Sequence, residues 1–139
     1  MKVIPLTNEG DTLALGRRLA EALTPGDVVS LSGDLGAGKT TLARGLIQSR
    51  LGEVEVPSPT YTLVQTYDWG EGELWHCDLY RLERPGDAYE LGLIEAMDEA
   101  VVLIEWADRL GALLPATAKR IHIAFDGDGR TATLDGFDA

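Results

Sequence analysis

One stretch limits what this chain can fold into more than any other. Gly33-Asp34-Leu35-Gly36-Ala37-Gly38-Lys39-Thr40-Thr41 satisfies G-x-x-x-x-G-K-[ST] at every fixed position. A β-branched run, Val28-Val29-Ser30-Leu31-Ser32, precedes it, and Leu42-Ala43-Arg44-Gly45-Leu46-Ile47 follows with helical spacing. Strand, glycine loop and helix in that order make the pattern a phosphate site rather than a plain connection. The glycines let the backbone curl so that successive N–H groups point inward, and the helix adds its positive N-terminal end. Lys39 is then placed to reach the β- and γ-phosphates, and the Thr40 hydroxyl to bind Mg²⁺. The expectation is a nucleotide-binding protein.

The remaining elements arrange themselves around this unit. Lys2 to Leu6 reads as a short edge strand, because Pro5 keeps it from the sheet centre. Thr7 or Asn8 suits an N-cap, and Leu13, Gly16, Ala20 and Leu23, flanked by Leu19, share one face of a helix from Glu9 to Leu23. Thr24-Pro25-Gly26-Asp27 breaks the chain before the loop strand, and the helix after the loop stops near Leu51 with Gly52 as its terminator. Tyr61 to Tyr67 reads as a strand, and Asp68 to Gly72 as a hairpin turn into Glu73 to Asp78. Short helical stretches fill Asp87 to Glu99, and another spans Ala107 to Leu114. Val101-Val102-Leu103-Ile104 is the most continuous apolar run, as expected of a strand buried on both faces. Arg120 to Phe125 and Thr131 to Leu134 flank Asp126-Gly127-Asp128-Gly129, a hairpin signal. The expected fold is α/β: a P-loop NTPase-like three-layer domain with a central mixed, mostly parallel sheet and β-hairpins. The loop strand should lie centrally, and residues 1–139 form one domain.

Charge narrows the function. The net charge of −11 comes from 23 acidic residues against 12 dispersed Lys and Arg, a balance that repels a nucleic-acid backbone. A small substrate or a more basic protein partner suits it better, and strong direct binding to nucleic acid is not expected. No run approaches the roughly 20 apolar residues of a membrane span, and Met1-Lys2-Val3-Ile4-Pro5 is no signal peptide, so the expected address is the cytoplasm. Cys77 is the single cysteine and reads as a buried apolar filler.

Phosphate chemistry needs more than the loop. Mg²⁺ takes oxygen ligands, and P-loop enzymes supply a carboxylate from the end of a second strand. Glu105 and Asp78 both qualify, and the unbroken apolar run before Glu105 favours it for the metal. Asp78 then remains to position or deprotonate the attacking water. Ser58-Pro59-Thr60 has the makings of a γ-phosphate switch. Trp106 stacks on a base or packs beneath the sheet, with packing favoured. His76 has no ligand-spaced partner and reads as a half-buried strand residue. No Asn-Lys-x-Asp reads guanine, so ATP is expected over GTP. Arg81, Arg84, Arg109 and Arg130 are scattered through loops, and Arg130 follows a hairpin turn, where it either reaches a phosphate or is solvated. The residues alone admit an ATPase, a small-molecule P-loop kinase, and a nucleotide-dependent binding module that does not hydrolyse.

Four motifs in order carry a resemblance. The loop itself, then Ser58-Pro59-Thr60-Tyr61-Thr62-Leu63-Val64, then His76-Cys77-Asp78-Leu79-Tyr80-Arg81-Leu82, then Ile104-Glu105-Trp106 resemble the bacterial TsaE (YjeE) ATPases. The likeness runs from Val3-Ile4-Pro5-Leu6 through Arg130. It implies a P-loop α/β domain that supports threonylcarbamoyladenosine synthesis at tRNA position 37, joining TsaB and TsaD. Its ATPase activity would serve repeated turnover rather than the transfer itself. It further implies that Asp34, Leu35, Gly36, Ala37, Gly38, Lys39, Thr40 and Thr41 hold ATP, that Thr40 and Glu105 hold Mg²⁺, and that Thr60, Asp78 and Lys39 serve hydrolysis. Glu9, Trp106 and Arg130 match positions near the nucleotide. Cys77 stands where an aromatic is common, and Ala107 replaces the usual proline after the Glu-Trp pair.

Overall fold

The computed structural model describes residues 2–34, 36–56, 63–70 and 72–137. Leu35 and the segment Ser58-Pro59-Thr60-Tyr61-Thr62 lie outside them. Among the described residues one seven-stranded sheet forms from β1 (Lys2–Leu6), β2 (Val28–Gly33), β3 (Val64–Asp68), β4 (Glu73–Asp78), β5 (Val101–Glu105), β6 (Lys119–Asp126) and β7 (Gly129–Asp135), in the order β1-β7-β6-β2-β5-β4-β3. The four central strands β6, β2, β5 and β4 are parallel. The two hairpins and β1 add antiparallel edges. The loop strand β2 is therefore central, as expected, and β1 is an edge strand that accommodates Pro5. The β6–β7 hairpin turns on Gly127-Asp128, with Gly127 at φ 60°.

Alternation divides the sheet into two apolar faces. Val29 and Leu31 of β2 and Val101 and Leu103 of β5 point to one side, which α1 (Glu9–Ala20) and α2 (Lys39–Leu51) cover. Val102, Ile104 and Cys77 point to the other, covered by α3 (Leu93–Glu99) and the 3₁₀ segments Pro85–Tyr89 and Ala107–Leu113. Every residue of β5 is buried. Cys77 is fully buried, and desolvation pushes its thiol far up from the usual range, so it behaves as apolar filler.

Helix α1 starts where the capping residues dictate. Asn8 accepts from the Asp11 N–H at 2.9 Å, and the Asp11 carboxylate accepts from the Thr7 N–H at 2.8 Å. It ends at Ala20, short of Leu23, which is nonetheless buried in the core. Its buried face is Thr12, Leu15, Gly16, Leu19 and Ala20, whereas Leu13 is only half-buried. The face turns this way because α1 crosses α2 backbone to backbone. A Cβ on Gly16 would run into the Leu42 carbonyl oxygen, and one on Gly45 into that of Leu13. Helix α2 stops at Leu51 with Gly52 at φ 75°, as its glycine foretold.

Candidate active site

Strands β2, β5 and β4 run parallel, so their carboxyl ends share one edge, and the glycine loop lies there. Gly33 closes β2 so near β6 that a Cβ would strike the Ile123 carbonyl. Gly38, at φ 112°, is the N-cap of α2 and offers no side-chain cap, and the first turn of α2 carries no acidic residue. Neither the cap nor the first turn of this thirteen-residue helix thus supplies a side chain that neutralises its positive end. Lys39 reaches back across the loop, donating from Nζ to the Gly33 carbonyl at 3.0 Å, and lies 5.5 Å from the Trp106 ring centroid. Thr40 and Thr41 follow, half-buried, in the same turn, and Asp34 is exposed.

The two acids end adjacent strands. Asp78 faces Glu105 across the β4–β5 ladder, and Leu31 of the loop strand faces Glu105 on its other side. Both acids are buried, at 6% and 5% exposure. Side-chain alternation puts His76, Asp78 and Glu105 on the sheet face covered by α2. Asp78 accepts the Tyr80 N–H at 3.0 Å, and its own N–H donates to the Leu63 carbonyl at 2.9 Å. Glu105 Oε2 lies 3.0 Å from His76 Nε2. His76 is therefore not half-buried but wholly enclosed, because β4 lies between two strands and under α2.

Two clefts flank the loop. One, of about 300 Å³, brings together Glu9, Gly36, Ala37, Gly38, Thr41 and Arg130, with Arg44 and Asp128 at its wall. Arg130 stacks on Phe125 at 4.2 Å and donates to the Gly129 carbonyl at 3.0 Å, and Glu9 pairs with Arg44 at 2.8 Å. The other, of about 290 Å³, opens beside Lys39, Gly33, Trp106 and Arg120. Packing of Trp106 beneath the sheet is overturned. The residue takes a left-handed turn at φ 60° directly after β5, and that turn carries the indole outward to 40% exposure. There it meets Tyr80, ring centroids 4.9 Å apart, and Arg109 lies over both rings. Leu35 and Thr60 fall outside the described residues.

Sequence reasoning missed Arg44 as a neighbour of these residues and gave His76 no role beside them. Arg44 lies three positions after Thr41 on the same helix face, and His76 two positions before Asp78 on the same strand face. Both periodicities were available as signals. Among the described residues, no group of three His, Cys, Asp or Glu gathers as a metal cage. Nor is any helix there long and apolar enough to cross a membrane.

Fold and loop together define a P-loop NTPase-like α/β protein. Comparison with known proteins narrows this. The family described as "Threonylcarbamoyl adenosine biosynthesis protein TsaE" matches residues 6–132. Relatives called tRNA threonylcarbamoyladenosine biosynthesis protein TsaE include one from Rickettsia felis, 46% identical over 78% of this chain and 64% of its own length. Another, from Rickettsia conorii, is 40% identical over 93% of this chain and 75% of its own. One from Bacillus subtilis is 40% identical over 87% and 76%. The crystal structure of Bacillus subtilis YdiB superposes with a TM-score of 0.82 at 32% identity, covering 99% of this chain and 86% of that one. The chain belongs to the TsaE family.

Proposed function

We propose that this chain is an ATP-binding and hydrolysing protein that serves the threonylcarbamoyladenosine modification of tRNA position 37. It acts in the cytoplasm with TsaB and TsaD to allow repeated turnover, and residues 1–139 make up its one P-loop ATPase domain. The observation that carries the reading is the uncapped N-terminus of α2, with Lys39 folded back over the loop. Family membership supports the tRNA pathway. The net charge of −11 supports entry into that pathway through protein partners rather than by gripping tRNA.

The residues divide the work. Backbone N–H groups from Asp34 to Thr41 cradle phosphate, and Lys39 leaves the Gly33 carbonyl to meet the β- and γ-phosphates. Glu9, Trp106 and Arg130 border the nucleoside. Asp78 orients the attacking water together with Thr60. The Thr40 hydroxyl and the buried Glu105 carboxylate are hard oxygen donors. Their small number suits Mg²⁺, which keeps waters and phosphate oxygens among its ligands. Bound there, Mg²⁺ supplies neutralisation of the phosphate charge.

The test is multiple-turnover tRNA modification by TsaB and TsaD with ATP, comparing the wild-type chain with Lys39→Ala. Wild type should sustain turnover and the variant should not. Its melting temperature without nucleotide should be unchanged, since Lys39 faces the loop rather than the core. Turnover unaffected by Lys39→Ala, or phosphate transferred to a metabolite instead of released, overturns the reading.

A further inference from the structure

Among the described residues, His76 is the most deeply buried polar side chain, and the phosphate chemistry leaves it without a task. Its side chain is 0% exposed and that of Glu105 6%, with Nε2 and Oε2 3.0 Å apart. The other ring nitrogen, Nδ1, is buried with no hydrogen-bond partner among the described residues. An apolar side chain would fill this position without orphaning an atom. The contact with Glu105 is thus what a histidine adds here, and it is satisfied when the ring carries its proton on Nε2. Among the described residues it is also the hydrogen bond that holds the Glu105 carboxylate.

We propose that His76 is a positioning residue for Glu105: its Nε2–H holds Oε2 and so sets the orientation in which the second oxygen meets a divalent cation. This rests on the reading of Glu105 as the metal acid. A glutamate carboxylate turns easily about its last torsions, and groups behind a ligating carboxylate fix its plane. The sheet supplies that support from the next strand. His76 lies opposite Leu103, two residues before the Asp78–Glu105 pair, on the same face. One short stretch of β4 thereby carries both the ring that aims Glu105 and the acid beside it.

The experiment uses Mn²⁺ as the probe, titrated by electron paramagnetic resonance into the full chain saturated with ADP, where no turnover is needed. ADP affinity in EDTA is measured separately. His76→Leu keeps apolar volume and removes the donor, and should weaken Mn²⁺ binding about 10- to 100-fold while leaving ADP affinity in EDTA unchanged. His76→Gln returns an N–H near the Nε2 position and should recover most of the loss. His76→Asn is too short to do so and decides the matter against His76→Gln if His76→Leu does not fold. In a Glu105→Gln background the histidine substitution should have no further effect on Mn²⁺. Equal Mn²⁺ affinities for wild type and His76→Leu, or for His76→Gln and His76→Asn, overturn the proposal. If Glu105→Gln alone weakens Mn²⁺ binding while His76→Leu does not, only the His76 role falls. If Glu105→Gln binds Mn²⁺ as wild type does, the metal role of Glu105 falls and the His76 proposal with it.

Discussion

Glu105 and Asp78 are equally buried and sit opposite one another, yet their surroundings differ. Glu105 is held by an imidazole and flanks the loop strand directly. Asp78 stands one strand further out, with one oxygen accepting the Tyr80 N–H and its backbone tied to Leu63. Leu63 itself adopts φ 66°, a left-handed conformation that bulky residues rarely hold without support. The amide substitutions keep shape and remove charge, so they separate the two roles. Glu105→Gln should abolish the gain in nucleotide affinity that Mg²⁺ provides while leaving binding in EDTA intact. Asp78→Asn should leave metal affinity intact and slow hydrolysis by about 10²- to 10⁴-fold, the range of a lost general base. Titration of nucleotide with and without Mg²⁺, beside phosphate release, reads both. The opposite pattern would exchange the two assignments.

At the scale of elements, the crossing of α1 over α2 positions more than the core. It sets the start of α1 beside the loop helix, where Glu9 meets Arg44 and both border the cleft that includes Gly38 and Thr41. Gly16 and Gly45 allow that approach from opposite sides. Neither has a left-handed φ, so their role is closeness rather than backbone freedom. Gly45→Ala would gain helix propensity but must push against the Leu13 backbone, which cannot yield as a side-chain tip does. Overpacking of this kind costs about 1–3 kcal/mol, more than the propensity returns. The urea midpoint should therefore fall, and an unchanged or raised midpoint would show that the two helices are free to separate.

For the whole molecule the question is whether one chain completes the catalytic charge. Fast hydrolysis needs positive charge on the γ-phosphate beyond the lysine and the metal. Three arginines near the loop already have partners: Arg44 pairs with Glu9, Arg130 donates to the Gly129 carbonyl, and Arg109 lies over Tyr80 and Trp106, while the exposed Arg120 of the second cleft lies opposite Ser30, three residues before Gly33. The isolated chain should therefore hydrolyse ATP slowly. TsaB and TsaD should stimulate it, by as much as the roughly 10³- to 10⁵-fold that a supplied charge contributes in related NTPases. Phosphate release with and without those proteins, with Lys39→Ala as the blank, measures this. A rate near about 10 s⁻¹ for the chain alone, unchanged by partners, would mean that the site is complete without them.

Local chemistry determined a good deal by itself. The glycine loop between strand and helix, Pro5 on an edge strand, Gly52 as a helix stop and the apolar run ending at Glu105 all follow from short-range rules, and all four stand as read. What needed the tertiary structure involves residues far apart in the chain. Strand order is one example, since β2 lies between β5 and β6 and no local pattern encodes those partners. The buried face of α1 is another in part: Gly16, Leu19, Ala20 and Leu23 are buried as read, but Thr12 and Leu15 are buried in place of Leu13 where the helix meets the Leu42 carbonyl. Trp106 went outward because a single left-handed residue reverses the chain after β5, a conformation that nothing in a tryptophan announces. His76 became the partner of Glu105 only once two parallel strands lay side by side. Hydrophobic periodicity reports which residues leave water, whereas polar contacts inside a sheet depend on register between strands, and register is settled by packing.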